Sequence, residues 1–184
     1  FDPMEMAIHQ LYKESNTIDE RPLYKMIHEY PLEGKPPMMT HIFENENGKK
    51  IIAAKGAPEA ILACSNANSE IRMATQNAIN EFTSAGYRVL AVGEALFSGN
   101  NFPAKQQDFI FELKGVIAFY DPPKENIATV LSQFYQAGIK VKIITGDNAA
   151  TTTTIAKKIG LKSADKQISG EELMLLSEQD LKTK

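Results

Sequence analysis

"NENGKKIIAAKGAPEAIL", residues 45–62, decides the fold of the first part of this chain. The pair Asn47-Gly48 is a strong signal for a type I′ hairpin turn, because both residues tolerate a positive φ. The apolar run after the turn predicts a strand over residues 49–55, and the Pro-Glu pair that follows predicts a short helix over residues 58–64. Since a hairpin joins antiparallel strands, this stretch predicts an antiparallel sheet with helices.

Similar signals extend through the first 120 residues. Asp2 is expected to cap a first helix, with Pro3 at its start and Glu5 completing a capping box. Further predicted elements are strands over 23–30, 37–44, 87–97 and 108–120, a helix over 68–85 ended by Gly86, and a loop over 98–107. The first domain is therefore expected to be α+β and to cover residues 1–117.

The pattern changes at Asp121, which is expected to cap a helix over residues 121–138. A strand over 139–145, a helix over 148–160 and a helix over 169–179 capped by Ser169 are predicted to follow. Helix, strand and helix in this order are typical of a parallel, doubly wound sheet. We therefore expect residues 118–184 to form part of an α/β domain.

Charge and composition exclude several classes of function. The formal net charge of −3 is unlike the basic surface that nucleic-acid binding requires. A single cysteine, Cys64, permits no disulfide within the chain, which suits a reducing compartment. No apolar run approaches the roughly 20 residues of a membrane span. The three histidines show no spacing to other ligand residues that indicates a metal site.

"TGDN", residues 145–148, is a candidate for phosphate chemistry. Thr145 offers a hydroxyl, Gly146 permits close approach of the backbone, and Asp147 could orient a metal-bound phosphate at a helix N-terminus. The alternative is an ordinary strand-to-helix turn in which Asp147 or Asn148 caps the helix.

"AAKGAPEAIL", residues 53–62, is the second candidate. Lys55 ends a strand, Gly56 opens the backbone, and Pro58 starts a helix, which together indicate a nucleotide contact. The alternative is a solvated lysine at the end of a strand.

These motifs occur in order in a known family. The chain resembles the cytosolic part of P-type cation-transporting ATPases of the calcium-pump-like group. The matching stretches are "DPMEMAI" (2–8), "YPLEGKPPMM" (30–39), "KGAPEAIL" (55–62), "GYRVLAV" (86–92), "DPPK" (121–124) and "TGDN" (145–148). The resemblance implies a nucleotide-binding domain inserted into a phosphorylation domain of the haloacid-dehalogenase type, with ATP lying between an adenine pocket in the former and an aspartate of the latter.

The resemblance also implies roles for individual residues. The nucleotide-binding set is Glu5 at the adenine edge, Tyr30 where the family usually has a stacking Phe, Lys35 and Lys55 lining the pocket, Gly56 and Ala57 against the base or ribose, and Arg88 at the phosphates. Leu32 stands where many relatives carry an arginine that touches phosphate, so we expect weaker ATP binding than in those relatives.

In the second segment, the resemblance makes Asp121 and Pro122 the hinge, has Thr145 hydrogen-bond the phosphoryl group and places Asp147 near Mg²⁺. Neither "DKTGT", which holds the phosphorylated aspartate, nor "GDGxND" occurs. We therefore expect a piece of a longer pump that binds ATP and Mg²⁺ weakly, holds no metal site of its own and hydrolyses nothing.

The whole enzyme would couple ATP hydrolysis, through an aspartyl-phosphate, to transport of a cation, with calcium favoured. The implied partners are the remainder of the same pump, namely its phosphorylated-aspartate segment, actuator domain and membrane helices, at the cytoplasmic face of a membrane. Two alternatives stay open: a soluble phosphatase of the haloacid-dehalogenase type with a large cap, and a non-catalytic nucleotide-sensing module. "KGAPE" within an inserted sheet favours the pump over the phosphatase.

Overall fold

A computed structural model describes residues 3–15, 18–97, 99 and 101–181. The chain divides into two compact units. The first consists of Phe1–Ile79 and Val89–Phe119, and the second of Asn80–Arg88 and Tyr120–Lys184. The assignment of residues 1–117 and 118–184 to two functional domains stays a prediction. The expected cap residue Asp2 lies outside the described residues.

Twelve helices and strands make up the described part of the chain. In order they are α1 (Pro3–Ser15), β1 (Tyr24–Glu33), β2 (Met38–Asn45), β3 (Lys50–Gly56), α2 (Pro58–Ala63), α3 (Ser69–Ser84), β4 (Arg88–Ala95), β5 (Phe111–Phe119), α4 (Ile127–Gln136), α5 (Ala149–Lys158), α6 (Gly170–Met174) and α7 (Glu178–Leu181). Short 3-10 turns at Arg21–Leu23 and Gln106–Asp108 precede β1 and β5.

The first unit contains a five-stranded sheet in the order β1-β2-β3-β4-β5. The pairs β1–β2, β2–β3 and β3–β4 are antiparallel, as the hairpin signals predict. Pro31 lies inside β1, which is an edge strand, where a residue without an N–H group is tolerated. The antiparallel α+β part of the predicted fold is therefore confirmed.

The turn between β2 and β3 is a hairpin of a different type from the one predicted. Gly48 has a φ of +75°, and its N–H donates to the Asn45 carbonyl at 3.0 Å. Asn47 does not have the positive φ that a type I′ turn requires, so that detail of the prediction is wrong. The Asn45 side chain explains the difference, because its Oδ1 accepts hydrogen bonds from the N–H groups of Asn47 and Lys49 at 3.1 and 2.9 Å.

One face of the sheet packs into a continuous hydrophobic core. Its buried members are Tyr30, Met38, Ile42, Ile52, Ala54, Ala60, Ile61, Ala91, Ala95, Phe109 and Phe111. All except Phe109, which lies just before β5, come from the strands and from α2, as expected for a sheet with one buried face. Gly93 also lies under Phe111, whose Cβ would be 3.0 Å from any Cβ added there.

The second unit differs from its prediction in two places. The described residues contain no strand after Phe119, so the strand predicted over residues 139–145 is wrong. The physical reason is that a single strand cannot satisfy its own backbone groups and needs a neighbour to pair with. Helix α4 begins at Ile127, six residues after the predicted cap Asp121, which is exposed with Pro122 in an irregular segment.

The last predicted helix is interrupted. Ser169 caps α6 in a capping box with Glu172, which confirms the predicted start. The helix ends at Met174, and α7 begins only at Glu178. No helix within the described residues combines the length and the apolar character that crossing a membrane requires.

Candidate functional site

Glu5 and Lys55 form an ion pair in the first unit, although they are 50 positions apart in the sequence. Lys55 extends from the end of β3, and Glu5 lies in the first turn of α1. The side chains are 22% and 33% exposed, so water screens the pair less than a fully exposed one while a ligand can still reach it. Two residues of the implied nucleotide site are therefore in contact.

Gly56 is the last residue of β3, and the neighbouring segment leaves no room there for a side chain. A Cβ at this position would lie 2.6 Å from the Met38 Cα and 2.7 Å from the Pro37 carbonyl oxygen. The N–H of Ala57 donates to that same carbonyl at 2.9 Å. The close approach predicted at Gly56 is thus made by protein backbone, and approach by a ligand stays a prediction.

Tyr30 belongs to the core of the first unit. Its side chain is only 6% exposed, and its ring meets the ring of Phe109 edge-on, with 5.9 Å between the centroids. The hydroxyl donates a hydrogen bond to the Pro103 carbonyl at 2.6 Å. Burial raises the pKa of Tyr30, and the charge of Asp108 adds to that effect.

The strand register separates Tyr30 from Lys55. Tyr30 pairs with Thr40, which pairs with Ala54, whereas Lys55 pairs with Met39. Neighbouring residues of a strand point to opposite faces of a sheet, so Tyr30 and Lys55 lie on different faces. The structure does not bring these two together, and stacking of a base on Tyr30 stays a prediction.

A bulge in β1 places Leu32 in the same row as Lys55. Pro31 and Leu32 together oppose the single residue Met39, which pairs with Lys55. Leu32 is 65% exposed. Lys35 is also exposed, in the turn that joins β1 to β2. The position at which the resemblance expects an arginine is therefore accessible and shares a row with the ion-paired lysine.

Gln106 supports this bulge from inside, and sequence reasoning missed it. Its side chain is fully buried and donates to the carbonyls of Pro31 and Met38 at 3.1 and 3.0 Å. The Thr40 hydroxyl donates to its Oε1 at 2.9 Å. A glutamine in a polar, loop-like stretch carries no periodic signal, so nothing in the sequence marks it as buried.

Arg88 and Asp147 pair with each other in the second unit. The Arg88 Nε lies 3.3 Å from the Asp147 Oδ1, and the side chains are 53% and 39% exposed. The resemblance assigns the arginine to phosphate and the aspartate to the neighbourhood of Mg²⁺. An exposed pair of this kind is weak, so either group can exchange its partner for a ligand at little cost.

The "TGDN" turn is closed by its own side chains. The Thr145 hydroxyl oxygen accepts a hydrogen bond from the Asp147 N–H at 3.0 Å. Asn148 caps α5, because its Oδ1 accepts from the Ala150 N–H at 2.8 Å. Of the two candidate caps, Asn148 is therefore the one confirmed, and the Asp147 carboxylate is left to pair elsewhere.

Threonines of the run after "TGDN" hold α5 in place. Thr151 is buried and donates to the Tyr87 carbonyl at 2.9 Å, and Thr154 donates to the Ser84 carbonyl at 3.4 Å. Two of the four threonine hydroxyls of α5 therefore bind carbonyl groups of residues in the same unit.

The residues that the structure describes do not by themselves supply a Mg²⁺ site. Over the described ranges, no three His, Cys, Asp or Glu side chains are grouped so that they could hold a metal ion. Asp147 offers one carboxylate, which is paired with Arg88. Mg²⁺ requires near-octahedral oxygen coordination, which one carboxylate cannot supply.

Comparison with known proteins agrees with the fold of the first unit. Residues 2–126 match the family described as P-type ATPase, cytoplasmic domain N. That match covers more than half of the chain, so the chain belongs to this family. The resemblance inferred from "KGAPE", "DPPK" and "TGDN" is confirmed.

Individual relatives are named as calcium-transporting or cation-transporting ATPases. The chain is 30% identical to a calcium-transporting ATPase of Listeria monocytogenes over all of its own length and 22% of the relative. It is 28% identical to a calcium-transporting ATPase of Bacillus subtilis, covering 86% of this chain and 19% of the relative. A putative cation-transporting ATPase of Methanocaldococcus jannaschii is also 28% identical, and the match covers 94% of this chain and 20% of the relative. The chain spans about a fifth of the length of these relatives.

Proposed function

We propose that this chain is the ATP-binding cytosolic part of a P-type cation pump. The observation that carries the proposal is the ion pair between Glu5 and Lys55. Both residues are assigned to the adenine pocket by the family resemblance, and the fold brings them into contact from distant positions. The whole pump would couple ATP hydrolysis, through an aspartyl-phosphate, to cation transport.

The proposed nucleotide site is centred on the Lys55 end of β3. Lys55 supplies a cation, Glu5 supplies an acceptor for the adenine amino group, and Gly56 and Ala57 are proposed to lie against the base or ribose. Lys35 is proposed to line the pocket together with Lys55, Arg88 to reach the phosphates, and Tyr30 to stack on the base. Both charged groups of the pair keep some exposure, so adenine can compete for Glu5 without unfolding the site.

The second unit is proposed to be the first part of a phosphorylation domain of the haloacid-dehalogenase type. Thr145 and Asp147 would contribute to phosphoryl transfer, and Asp121 and Pro122 to the hinge. Ile143 and Ile144 are 43% and 99% exposed in the segment where a strand is predicted. Exposed apolar residues of this kind fit a strand that pairs with the remainder of the same pump.

Within that pump, Mg²⁺ would reduce the charge repulsion between the phosphates and the groups that approach them, while the protein's own side chains hold the nucleotide in place. Thr145 would donate its hydroxyl hydrogen to a phosphoryl oxygen, since its turn contact uses the hydroxyl oxygen only as an acceptor. Arg88 would orient a phosphate once its pair with Asp147 is exchanged. We propose calcium as the transported cation, because two of the relatives described above are calcium-transporting ATPases. Calcium uptake into vesicles bearing the whole pump would test this assignment.

NMR titration of the chain with Mg·ATP tests the nucleotide site. We expect shift changes at the amides of Gly56 and Ala57, and their loss in Lys55→Ala. Lys50→Ala is the matched control, because Lys50 lies on the same strand and pairs with Glu44 in a similar ion pair. Lys140→Ala is a second control in the other unit. Equal shifts in all variants would show that the pocket lies elsewhere.

Two further outcomes sharpen the proposal. Leu32→Arg should tighten Mg·ATP binding about five-fold, since a charge-assisted contact to phosphate is added. The chain alone should release no phosphate from ATP, because it contains no "DKTGT" nucleophile. Turnover that disappears only in Thr145→Ala or Asp147→Ala would contradict the proposed inactivity.

A further inference from the structure

Helix α1 carries Glu5 but is held by little hydrophobic burial. None of its residues, all of which the structure describes, is buried. Met4, Ile8 and Tyr12 are half-buried along one side. Because apolar burial is the main source of helix stability in proteins, a helix with so little of it depends on its polar contacts. The position of the Glu5 carboxylate therefore depends on what else holds α1.

Arg21 is the residue that joins α1 to the segment entering β1. Its guanidinium NH1 donates to His9 Nδ1 at 2.7 Å, and the guanidinium carbon lies 4.8 Å from the centroid of the Tyr12 ring. His9 and Tyr12 are three positions apart on the helix, so they lie on neighbouring turns of one side. The Tyr12 hydroxyl also accepts a hydrogen bond from the Glu20 N–H at 3.4 Å.

Asp19 fixes the orientation of the Arg21 guanidinium. Arg21 donates from Nε to one Asp19 carboxylate oxygen at 2.8 Å and from NH2 to the other at 2.6 Å. The backbone N–H of Arg21 donates to the same carboxylate at 3.0 Å. A bidentate pair sets the plane of the guanidinium, and this plane aims NH1 at His9.

We propose that Arg21 is a positioning residue for nucleotide binding. Arg21 holds the middle of α1 through His9. Glu5 lies about one helical turn before His9, so Arg21 also sets the position of Glu5 against Lys55. Its contacts are with Asp19 and the helix, so it acts through α1. The inference rests on the proposed function, since the site that it serves is the one around Lys55. A lysine cannot replace Arg21, because one ammonium group cannot bind Asp19 in two places and also reach His9.

The first experiment measures the helix without any nucleotide. In Arg21→Gln, amide hydrogen exchange in α1 should accelerate about ten-fold, and the carboxyl carbon of Glu5 should change its NMR shift toward that of a free glutamate. Exchange in β3 should not change. Arg72→Gln is the matched control, because Arg72 also fastens a loop, through the carbonyls of Ser65 and Ala67, but contacts neither α1 nor Asp19 in the hydrogen bonds that it makes.

The second experiment measures Mg·ATP affinity in a double-mutant cycle. Arg21→Gln should weaken binding about five-fold in the wild-type background and less than two-fold in a Glu5→Gln background. Arg21→Lys should behave like Arg21→Gln. A general loss of stability would instead lower affinity equally in both backgrounds, and that result would overturn the inference.

The two experiments separate failure of the inference from failure of the proposed function. Unchanged α1 exchange in Arg21→Gln would overturn the inference whether or not ATP binds. Exchange in α1 could instead accelerate in Arg21→Gln while the wild-type chain gives no response to Mg·ATP. This combination would overturn the proposed function and, with it, the role of Arg21 in nucleotide binding.

Discussion

Two apolar runs of similar composition have different fates in this protein. β3, Lys50–Gly56, lies between β2 and β4 and pairs with both, and Ile52 at its centre is 1% exposed. Residues 139–145 form no strand, and Ile144 is 99% exposed. Both runs favour extended backbone, so local preference does not separate them. The difference teaches that a neighbouring strand, which supplies hydrogen bonds and a buried face, turns such a preference into a structure.

An isoleucine-to-alanine substitution made in each of the two runs should give the largest difference in stability between them. Ile52→Ala should lower the free energy of unfolding of the first unit by about 3 kcal/mol, because it leaves a cavity in a packed core. Ile144→Ala should change the stability of the second unit by less than about 0.5 kcal/mol, as expected for an exposed side chain. Urea unfolding followed by NMR signals from each unit measures both. A large loss in Ile144→Ala would mean that the second run is packed after all.

A glycine-to-alanine substitution in each unit tests the same difference in packing by adding a methyl group instead of removing atoms. Gly56→Ala should cost about 2 kcal/mol, because the new methyl group would press against the backbone at Pro37 and Met38. Gly146→Ala should be nearly neutral, since an added Cβ meets nothing within 4 Å. Urea unfolding again gives the values. If Gly56→Ala kept full stability and lost only nucleotide binding, the glycine would be needed for the ligand instead of the sheet.

Substitutions at the start of α5 test how much helix capping contributes to the stability of the second unit. Asn148→Ala should destabilise the helix by about 1 kcal/mol, because the side chain accepts the Ala150 N–H. Asp147→Ala should cost less than about 0.5 kcal/mol, since its ion pair with Arg88 is exposed. Amide exchange of α5 residues measures both effects. Equal losses would mean that the two side chains share the capping role.

The smallest expected effect is a change in the pKa of one carboxyl group of the first unit, that of Asp19. The hydrogen bond from Arg21 lowers the pKa of Asp19 to about 2. A carboxyl whose pKa is lowered by folding contributes stability above its ordinary pKa, and this contribution is lost as the pH falls through about 2. Arg21→Gln should return the pKa toward 3.8. NMR titration of the Asp19 carboxyl carbon measures the shift, with Arg72→Gln expected to leave it in place.

Sequence patterns predict the first region well because its signals are local and mutually consistent. Asn47-Gly48 marks the hairpin, alternating apolar residues mark the strands, and Pro58 marks the start of α2. Short turns join β1 to β2 and β2 to β3, whereas β4 follows β3 only after α2 and α3, so local signals do not determine its place beside β3. The contact between Glu5 and Lys55 has no pattern of its own, and only the resemblance to a family assigned both residues to one site.

The errors arise where the outcome depends on distant parts of the chain. Residues 139–145 have a local preference for a strand, but no strand of the described part of the chain pairs with them. Asp121 followed by Pro122 is typical of a helix start, yet α4 begins at Ile127. The face that Tyr30 occupies depends on the register between β1 and β2, where one slipped residue reverses the side. The burial of Gln106 depends on contacts with Pro31 and Met38, which no local pattern encodes.

Gln106 also has a consequence for the order of folding. It closes contacts across 66 to 75 positions, whereas the hairpin from β1 to β2 forms from neighbouring residues. Contacts between distant positions carry a larger loop-closure cost and tend to form late. The bulge at Pro31 is therefore expected to be fixed after the folding barrier is crossed. Replacing Gln106 should speed unfolding more than it slows folding, so the row that holds Leu32 and Lys55 would reach its final register last.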